Sequence, residues 1–163
     1  MVSRRRSREE GHRRKFLAVV DDTPECERAM RYAGMRARNS NGGLVLVYVI
    51  HQSDFQHWLG VEEIMRAEAM EAAEATLAKA AEKMRQAIGI NPETRICEGG
   101  TAEQIHAVIE EDQDIAILVL AAGSAKDGPG PLVSSIAGRG AAFPIPVTVI
   151  PDALSDEEID ALA

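Results

Sequence analysis

The chain has 163 residues, of which 45% are hydrophobic, 27% charged and 4% aromatic. This length and apolar content suit one globular domain and exclude a wholly disordered chain. Residues 1–15 hold seven Arg or Lys against two Glu, whereas the rest of the chain holds 11 basic and 24 acidic residues. Because such an acidic domain repels duplex nucleic acid, we expect no nucleic-acid partner.

The chain opens with a basic segment, residues 1–14, that lacks the apolar core of a signal peptide. We expect a solvated, flexible arm here, in preference to a tether for nucleic acid or a membrane. The apolar run Phe16–Val20 then predicts a buried strand. The polar residues after it can cap a helix that runs to about Arg38, with Pro24 in its first turn.

A second apolar run, Leu44–Ile50, predicts a strand that is covered on both faces, as in a parallel sheet. Residues 59–88 are dense in helix-forming Ala, Glu, Met, Arg and Lys and predict a long helix. Four large apolar residues near its start are candidate anchors for a client protein: Phe55, Trp58, Leu59 and Met65. We favour the alternative that this face packs on the protein's own sheet.

The segment Glu93–Cys97 predicts a third strand, and a helix over residues 101–111 follows it. This helix begins with the pattern Thr101-x-x-Gln104, which is typical of a capping box. The most apolar segment, Ile115–Ala122, predicts the fourth strand. It is far too short to span a bilayer, so we expect no membrane partner and a cytoplasmic location.

A loop rich in glycine and proline follows the fourth strand and leads into a short helix over about residues 132–142. Pro146–Ile150 predicts a fifth strand, and the capping pattern Ser155-x-x-Glu158 predicts a small helix within residues 153–163. Neither the two cysteines nor the histidines have the spacing of a metal or redox site, so we expect no metal.

The alternation of strands and helices predicts an α/β fold with a doubly wound, five-stranded parallel sheet over residues 15–152. Right-handed crossovers would place helices on both faces of that sheet. Ligands of such folds bind beyond the carboxyl ends of the strands, where the strand order reverses.

Five segments within residues 14–152 resemble, in order, the motifs of the universal stress protein family. They are Val20-Asp21-Asp22-Thr23-Pro24, Leu46–Ile50, Glu98–Ile105, Asp114–Leu120 and Phe143–Ile150. The resemblance implies strand order 3-2-1-4-5 and a homodimer built partly on the fifth strand. It also implies a site between strands one and four at which many members bind ATP.

The ATP-binding members of this family carry a loop of the form G-x2-G-x9-G-[ST] after strand four. Here Gly123 begins the loop, but Val133 takes the place of the last glycine, and Pro129 and Pro131 lack backbone N–H groups. The resemblance implies an adenosine pocket of Val19, Asp21 and Val49. It implies phosphate contacts from Gly123, Lys126, Ser134 and Ser135.

Each of these residues also has a structural interpretation. Asp21 is as well suited to capping the first helix as to binding a ligand, and Val19 and Val49 suit the core. Because the loop departs from the family's pattern, we expect no certain cofactor, and we expect ATP to bind weakly or not at all. The protein is then predicted to be a non-enzymatic dimeric adaptor in a stress response. An ATP-binding stress sensor with an altered phosphate loop is the alternative, and an enzyme ranks last because no nucleophile–base pattern is present.

Overall fold

The computed structural model describes residues 3–51, 60–124, 128–138 and 143–163. Within them the strands are β1 (Lys15–Val19), β2 (Gly43–Ile50), β3 (Glu93–Glu98), β4 (Ile115–Ala121) and β5 (Val147–Ile150). The helices are α1 (Cys26–Asn39), α2 (Glu62–Ile88), α3 (Thr101–Glu111), α4 (Pro131–Ala137) and α5 (Asp156–Leu162). No helix in the described residues is both long and apolar enough to cross a bilayer.

The strands form one parallel sheet in the order β3-β2-β1-β4-β5, which confirms the predicted topology. β1 lies at the centre, where Ala18 pairs with Leu46 of β2 on one side and with Val119 of β4 on the other. The chain therefore leaves β1 and β4 in opposite directions along the sheet, which opens a crevice at their carboxyl ends.

Alternate residues of the central strands enter two separate apolar layers. Phe16 and Ala18 pack with side chains of α1, α2 and α5, whereas Leu17 and Val19 pack with side chains of α3 and α4. This alternation follows from the two-residue period of a strand. The helices thus cover both faces, as predicted.

Local capping confirms one sequence prediction and overturns two. Ser155 and Glu158 form the predicted capping box at the start of α5. The box predicted for α3 is wrong, because Gly100 is the N-cap residue and no side chain caps the helix. α1 likewise begins after Glu25 without a side-chain cap. Sequence patterns identify short polar residues that can cap, but the local path of the chain decides whether they do.

The long helix α2 packs mainly through its second half. Its buried residues are Ala73, Leu77, Ala80, Ala81, Met84 and Ile88. Of the four candidate anchors for a client, Met65 is partly buried against Ile50 and Ala73. Phe55, Trp58 and Leu59 lie outside the described residues.

The basic N-terminal segment, for which the sequence predicts a flexible arm, makes defined contacts with the end of α3. The Arg5 guanidinium donates hydrogen bonds to the carbonyl oxygens of Ile109 at 2.6 Å and of Asp112 and Ile115 at 3.2 Å. The Ser3 hydroxyl donates to Glu110 at 2.7 Å, and this bond lowers the pKa of the Glu110 carboxyl. Carbonyls at a helix end have no partner within the helix, and here Arg5 supplies one.

The C-terminal helix α5 is attached to α1 by one apolar and one ionic contact. Ile159 is fully buried in the layer that α1 and α2 share. Beside it, Arg31 donates from Nε and Nη2 to the two carboxylate oxygens of Asp160 at 2.7 and 2.6 Å. The hydrogen bond from Arg31 lowers the pKa of Asp160, and the same bond raises the pKa of Arg31.

Substitution of Ile159 tests how far α5 contributes to the fold. Ile159→Ala should lower the free energy of unfolding by about 2–4 kcal/mol, because it leaves a cavity in the core. Leu162→Ala on the same helix is the control, since Leu162 is 63% exposed, and should change stability by less than about 0.5 kcal/mol. Urea unfolding of both variants measures this, and equal losses would contradict a specific anchor at Ile159.

The Arg31–Asp160 pair makes stability depend on pH. The pKa of Asp160 is lowered from 3.8 in the folded state, so its contribution is present above that value and is lost as the pH falls through the folded pKa. Asp160→Asn should therefore be less stable than the unmodified protein at pH 7, by up to about 1 kcal/mol. Urea unfolding between pH 7 and pH 3 should show this difference shrinking, and a constant or growing difference would contradict it.

Candidate functional site

A cleft of about 620 Å³ opens at the carboxyl ends of β1 and β2, between the beginnings of α3 and α4. Its volume lies in the range of small-molecule sites. The cleft therefore lies beside the crevice that the strand order predicts between β1 and β4, on the side of β2.

Four of the predicted site residues line this cleft, namely Val19, Asp21, Val49 and Ser135. Val19 and Val49 are only 6% and 8% exposed and also belong to the core layer beneath α3 and α4. The core interpretation and the pocket interpretation therefore both hold for these valines. Gly123 and Ser134 do not line the cleft, and Lys126 lies outside the described residues.

Asp21 lies where the chain leaves β1. One of its carboxylate oxygens, Oδ1, accepts a hydrogen bond from the backbone N–H of Thr23 at 2.9 Å and another from the Thr23 hydroxyl. This is an Asx-type turn, and it replaces the helix cap that the sequence offered as the alternative. Because a carboxylate has several lone pairs, these bonds leave Asp21 able to accept further donors.

In the described part of the loop after β4 and in α4, two of the expected backbone donors are already bonded within the protein. The Gly123 N–H donates to the carbonyl oxygen of Pro129 at 3.2 Å. The Ser134 N–H donates within α4, to the carbonyl oxygen of Gly130 at 3.0 Å. Since Pro129 and Pro131 have no N–H, these four positions offer no unused backbone donor.

The space between this loop and the β1–α1 segment is small. It is a cavity of about 60 Å³, and Asp21, Glu25, Pro129 and Val133 are among its lining residues. A water needs roughly 10–15 Å³ measured in this way, so the cavity holds a few waters. The space beside these residues is therefore much narrower than the cleft of about 620 Å³.

The charged groups around the cleft are mostly acidic. Asp21, Asp22 and Glu103 line it, and Glu25 lies beside the loop at Gly123. His51 also lines the cleft, and its Nε2 is 3.3 Å from the Thr101 hydroxyl oxygen. The described carboxylates thus favour neutral or weakly charged ligands over polyanions.

Sequence reasoning missed three residues that shape this region: Glu25, Arg28 and Thr101. The Arg28 guanidinium donates to the carbonyl oxygen of Ala122 at 2.8 Å and reaches Asp152 at 3.4 Å, so it ties the end of β4 to α1. No local pattern distinguishes Glu25 or Arg28 from ordinary helix residues. The sequence pattern predicts that Thr101 caps α3. The one sequence feature that bears on the contact between the Thr101 hydroxyl and the His51 ring is that His51 follows the end of β2.

Cys26 lines the small cavity beside Asp21, and its sulfur is 3.5 Å from the carbonyl oxygen of Asp21. Burial raises the pKa of this thiol, so it is protonated at neutral pH and is a poor nucleophile. Among the described residues, no group of three or more His, Cys, Asp or Glu side chains is placed to hold a metal ion.

Several solved structures share this fold. The universal stress protein UspA from Lactobacillus plantarum matches with a TM-score of 0.69 and 21% identity, over 84% of this chain and 97% of its own. A universal stress protein from Archaeoglobus fulgidus in complex with dAMP matches with a TM-score of 0.56 and 19% identity, over 84% and 97%. A third, in complex with cAMP, has a TM-score of 0.56 and 16% identity, over 87% and 98%.

These structural matches establish the fold, since their sequence identities are low. No curated protein sequence matches the chain significantly. The model of the universal stress protein family, however, matches residues 12–151. Because that match covers most of the chain, the protein belongs to the universal stress protein family.

Proposed function

We propose that this universal stress protein is a non-enzymatic, dimeric regulator whose cleft binds the adenosine part of a small adenine nucleotide. In this proposal it binds ATP weakly or not at all. One observation carries the proposal: the cleft beside Asp21 is open, whereas the Gly123 N–H that would meet a phosphate is bonded to Pro129.

The cleft suits a nucleoside. Val19 and Val49 provide apolar walls of the kind that a purine ring contacts, and the Asp21 carboxylate can accept hydrogen bonds from ribose hydroxyls. The relatives solved with dAMP and with cAMP hold ligands with a single phosphate on the same fold. These complexes support an adenine monophosphate as the ligand class.

The loop disfavours a triphosphate. Its described part lacks two or three donors that a phosphate chain uses, and each charge-assisted hydrogen bond contributes ~1.5–3 kcal/mol. Their loss weakens binding by a factor on the order of a thousand. Repulsion from Asp22 and Glu25 acts in the same direction.

The proposal that the protein is not an enzyme is supported by the side chains that line the same cleft. The Thr101 hydroxyl and His51 form its one close hydroxyl–imidazole contact among the described residues. A hydroxyl nucleophile also requires a third group that orients the imidazole. Within the described residues, His51 contacts Thr101 and has no carboxylate partner for that purpose.

An NMR titration with AMP and with ATP tests the proposed ligand class. AMP should bind at least tenfold more tightly than ATP, because it needs fewer of the missing donors. Asp21→Ala should reduce AMP affinity at least tenfold. Thr23→Val, which keeps the carboxylate but removes the hydroxyl bonded to it, should reduce the affinity less.

The alternative of an ATP sensor is supported by Ser135, the fifth residue of α4, which lines the cleft. A micromolar dissociation constant for ATP that Asp21→Ala abolishes would favour that alternative. Equal losses in Asp21→Ala and Thr23→Val would show that the turn, and not the carboxylate, matters for binding.

The dimer in this proposal forms through β5. This strand is at one end of the sheet, and Val149 is 43% exposed on it. A cavity of about 350 Å³ beside Val149 has an apolar lining of Leu120, Val133, Ile136, Phe143, Ile145, Pro146 and Val147. An apolar edge of this kind needs a cover, and a twofold pairing supplies one.

Light scattering at micromolar concentration tests the dimer. The protein should have a mass of about twice 17.6 kDa, and Val149→Asp should shift it toward the monomer because two charges would meet at the interface. Ile64→Asp is the control, since Ile64 is 60% exposed on α2, away from this edge. A monomeric mass for the unmodified protein, or equal effects of both substitutions, would contradict the proposal.

A further inference from the structure

We propose that Glu25 is the specificity-determining residue of the cleft, and that its carboxylate makes the protein discriminate against nucleoside di- and triphosphates. This inference rests on the proposed function, since it assumes that the cleft holds an adenosine group. It goes further by assigning the discrimination to one side chain.

The position of Glu25 is the first support. It is the residue that immediately precedes α1, and it lines the small cavity between the β1–α1 segment and the loop after β4. A methyl group added at Gly123 would lie 3.2 Å from Glu25 Oε1 and 3.3 Å from the carbonyl oxygen of Gly128. Glu25 therefore occupies the space in front of the Gly123 backbone, through which a phosphate would have to approach it.

The loop after β4 also contributes to the position of Gly123 opposite Glu25. The bond from the Gly123 N–H to Pro129 draws the chain across toward Glu25. Two oxygens, from the Glu25 carboxylate and the Gly128 carbonyl, then face Gly123 where a phosphate would require donors. The backbone N of Gly130 lies farther from the same point, at 3.9 Å, so its two nearest neighbours are acceptors.

The charge of Glu25 is also uncompensated in the described part of the chain. No ion pair joins it to a cationic side chain there, and the Arg28 guanidinium one turn later is bonded to Ala122 and Asp152. Glu27, by contrast, pairs with Lys83 at 2.6 Å on the opposite side of the segment. A like charge that is neither paired nor distant repels an incoming phosphate strongly.

The repulsion depends on ligand length. AMP carries one phosphate next to its ribose, whereas the phosphate chain of ATP extends farther and carries more negative charge. Because Glu25 lines the narrow cavity beyond Asp21, phosphates added beyond the first would lie near its carboxylate. Glu25 thus affects ATP far more than AMP.

The test compares Glu25→Gln with Glu27→Gln in NMR titrations with AMP and ATP. Both substitutions remove one negative charge from the same end of α1, but only the first removes it from the cavity. Glu25→Gln should raise the affinity for ATP at least tenfold while that for AMP changes less than threefold. Glu27→Gln should change neither by more than about threefold.

A second variant, Glu25→Ala, removes the side chain as well as the charge and should raise ATP affinity at least as much. If the unmodified protein binds AMP but the ratio of ATP to AMP affinity is the same in all variants, the role of Glu25 is overturned and the proposed function stands. Equal gains in Glu25→Gln and Glu27→Gln would also overturn it, since they would reflect net charge alone. If AMP binds to no form of the protein, the proposed function itself fails.

Discussion

The central strand β1 constrains the rest of this molecule. Phe16, Leu17 and Ala18 have no exposed surface, and the strand pairs on both sides, with β2 and with β4. A strand in this position must be apolar on both faces and must find all of its backbone partners within the sheet. Both helix layers therefore pack on this strand. The crevice at its carboxyl end forms because the chain leaves β1 and its neighbour β4 in opposite directions along the sheet.

The turn after β1 determines where two acidic side chains, Asp21 and Glu25, lie relative to the crevice. The chain cannot enter α1 directly, because Asp21 first closes a turn on Thr23 and the helix begins only at Cys26. This delay places Asp21 in the open cleft and Glu25 in the narrow cavity next to it. Two acidic residues four positions apart thereby come to face different parts of one crevice.

The sequence was sufficient to place the strands and helices because the strands are short apolar runs bounded by polar or glycine residues, and the long helix α2 is dense in helix-forming residues. The strand order came from the family resemblance and not from the runs themselves. In the site, Val19, Asp21, Val49 and Ser135, which line the cleft, were implied by the family resemblance, and the predicted strand ends indicated only which edge of the sheet to consider. No pattern in the sequence indicates that the Gly123 N–H bonds to Pro129. Hydrogen bonds inside an irregular loop depend on its path, which residue types alone do not determine.

The N-terminal segment has a practical consequence for anything joined to the chain before it. Arg5 bonds to carbonyls at the end of α3 and the beginning of β4, whereas the cleft is at the carboxyl ends of the strands. In a parallel sheet these are opposite ends, separated by the length of the strands. A purification tag or a fused domain placed before Ser3 would therefore leave the molecule on the side away from the cleft. Immobilising the protein through such a tag would present the cleft to solution.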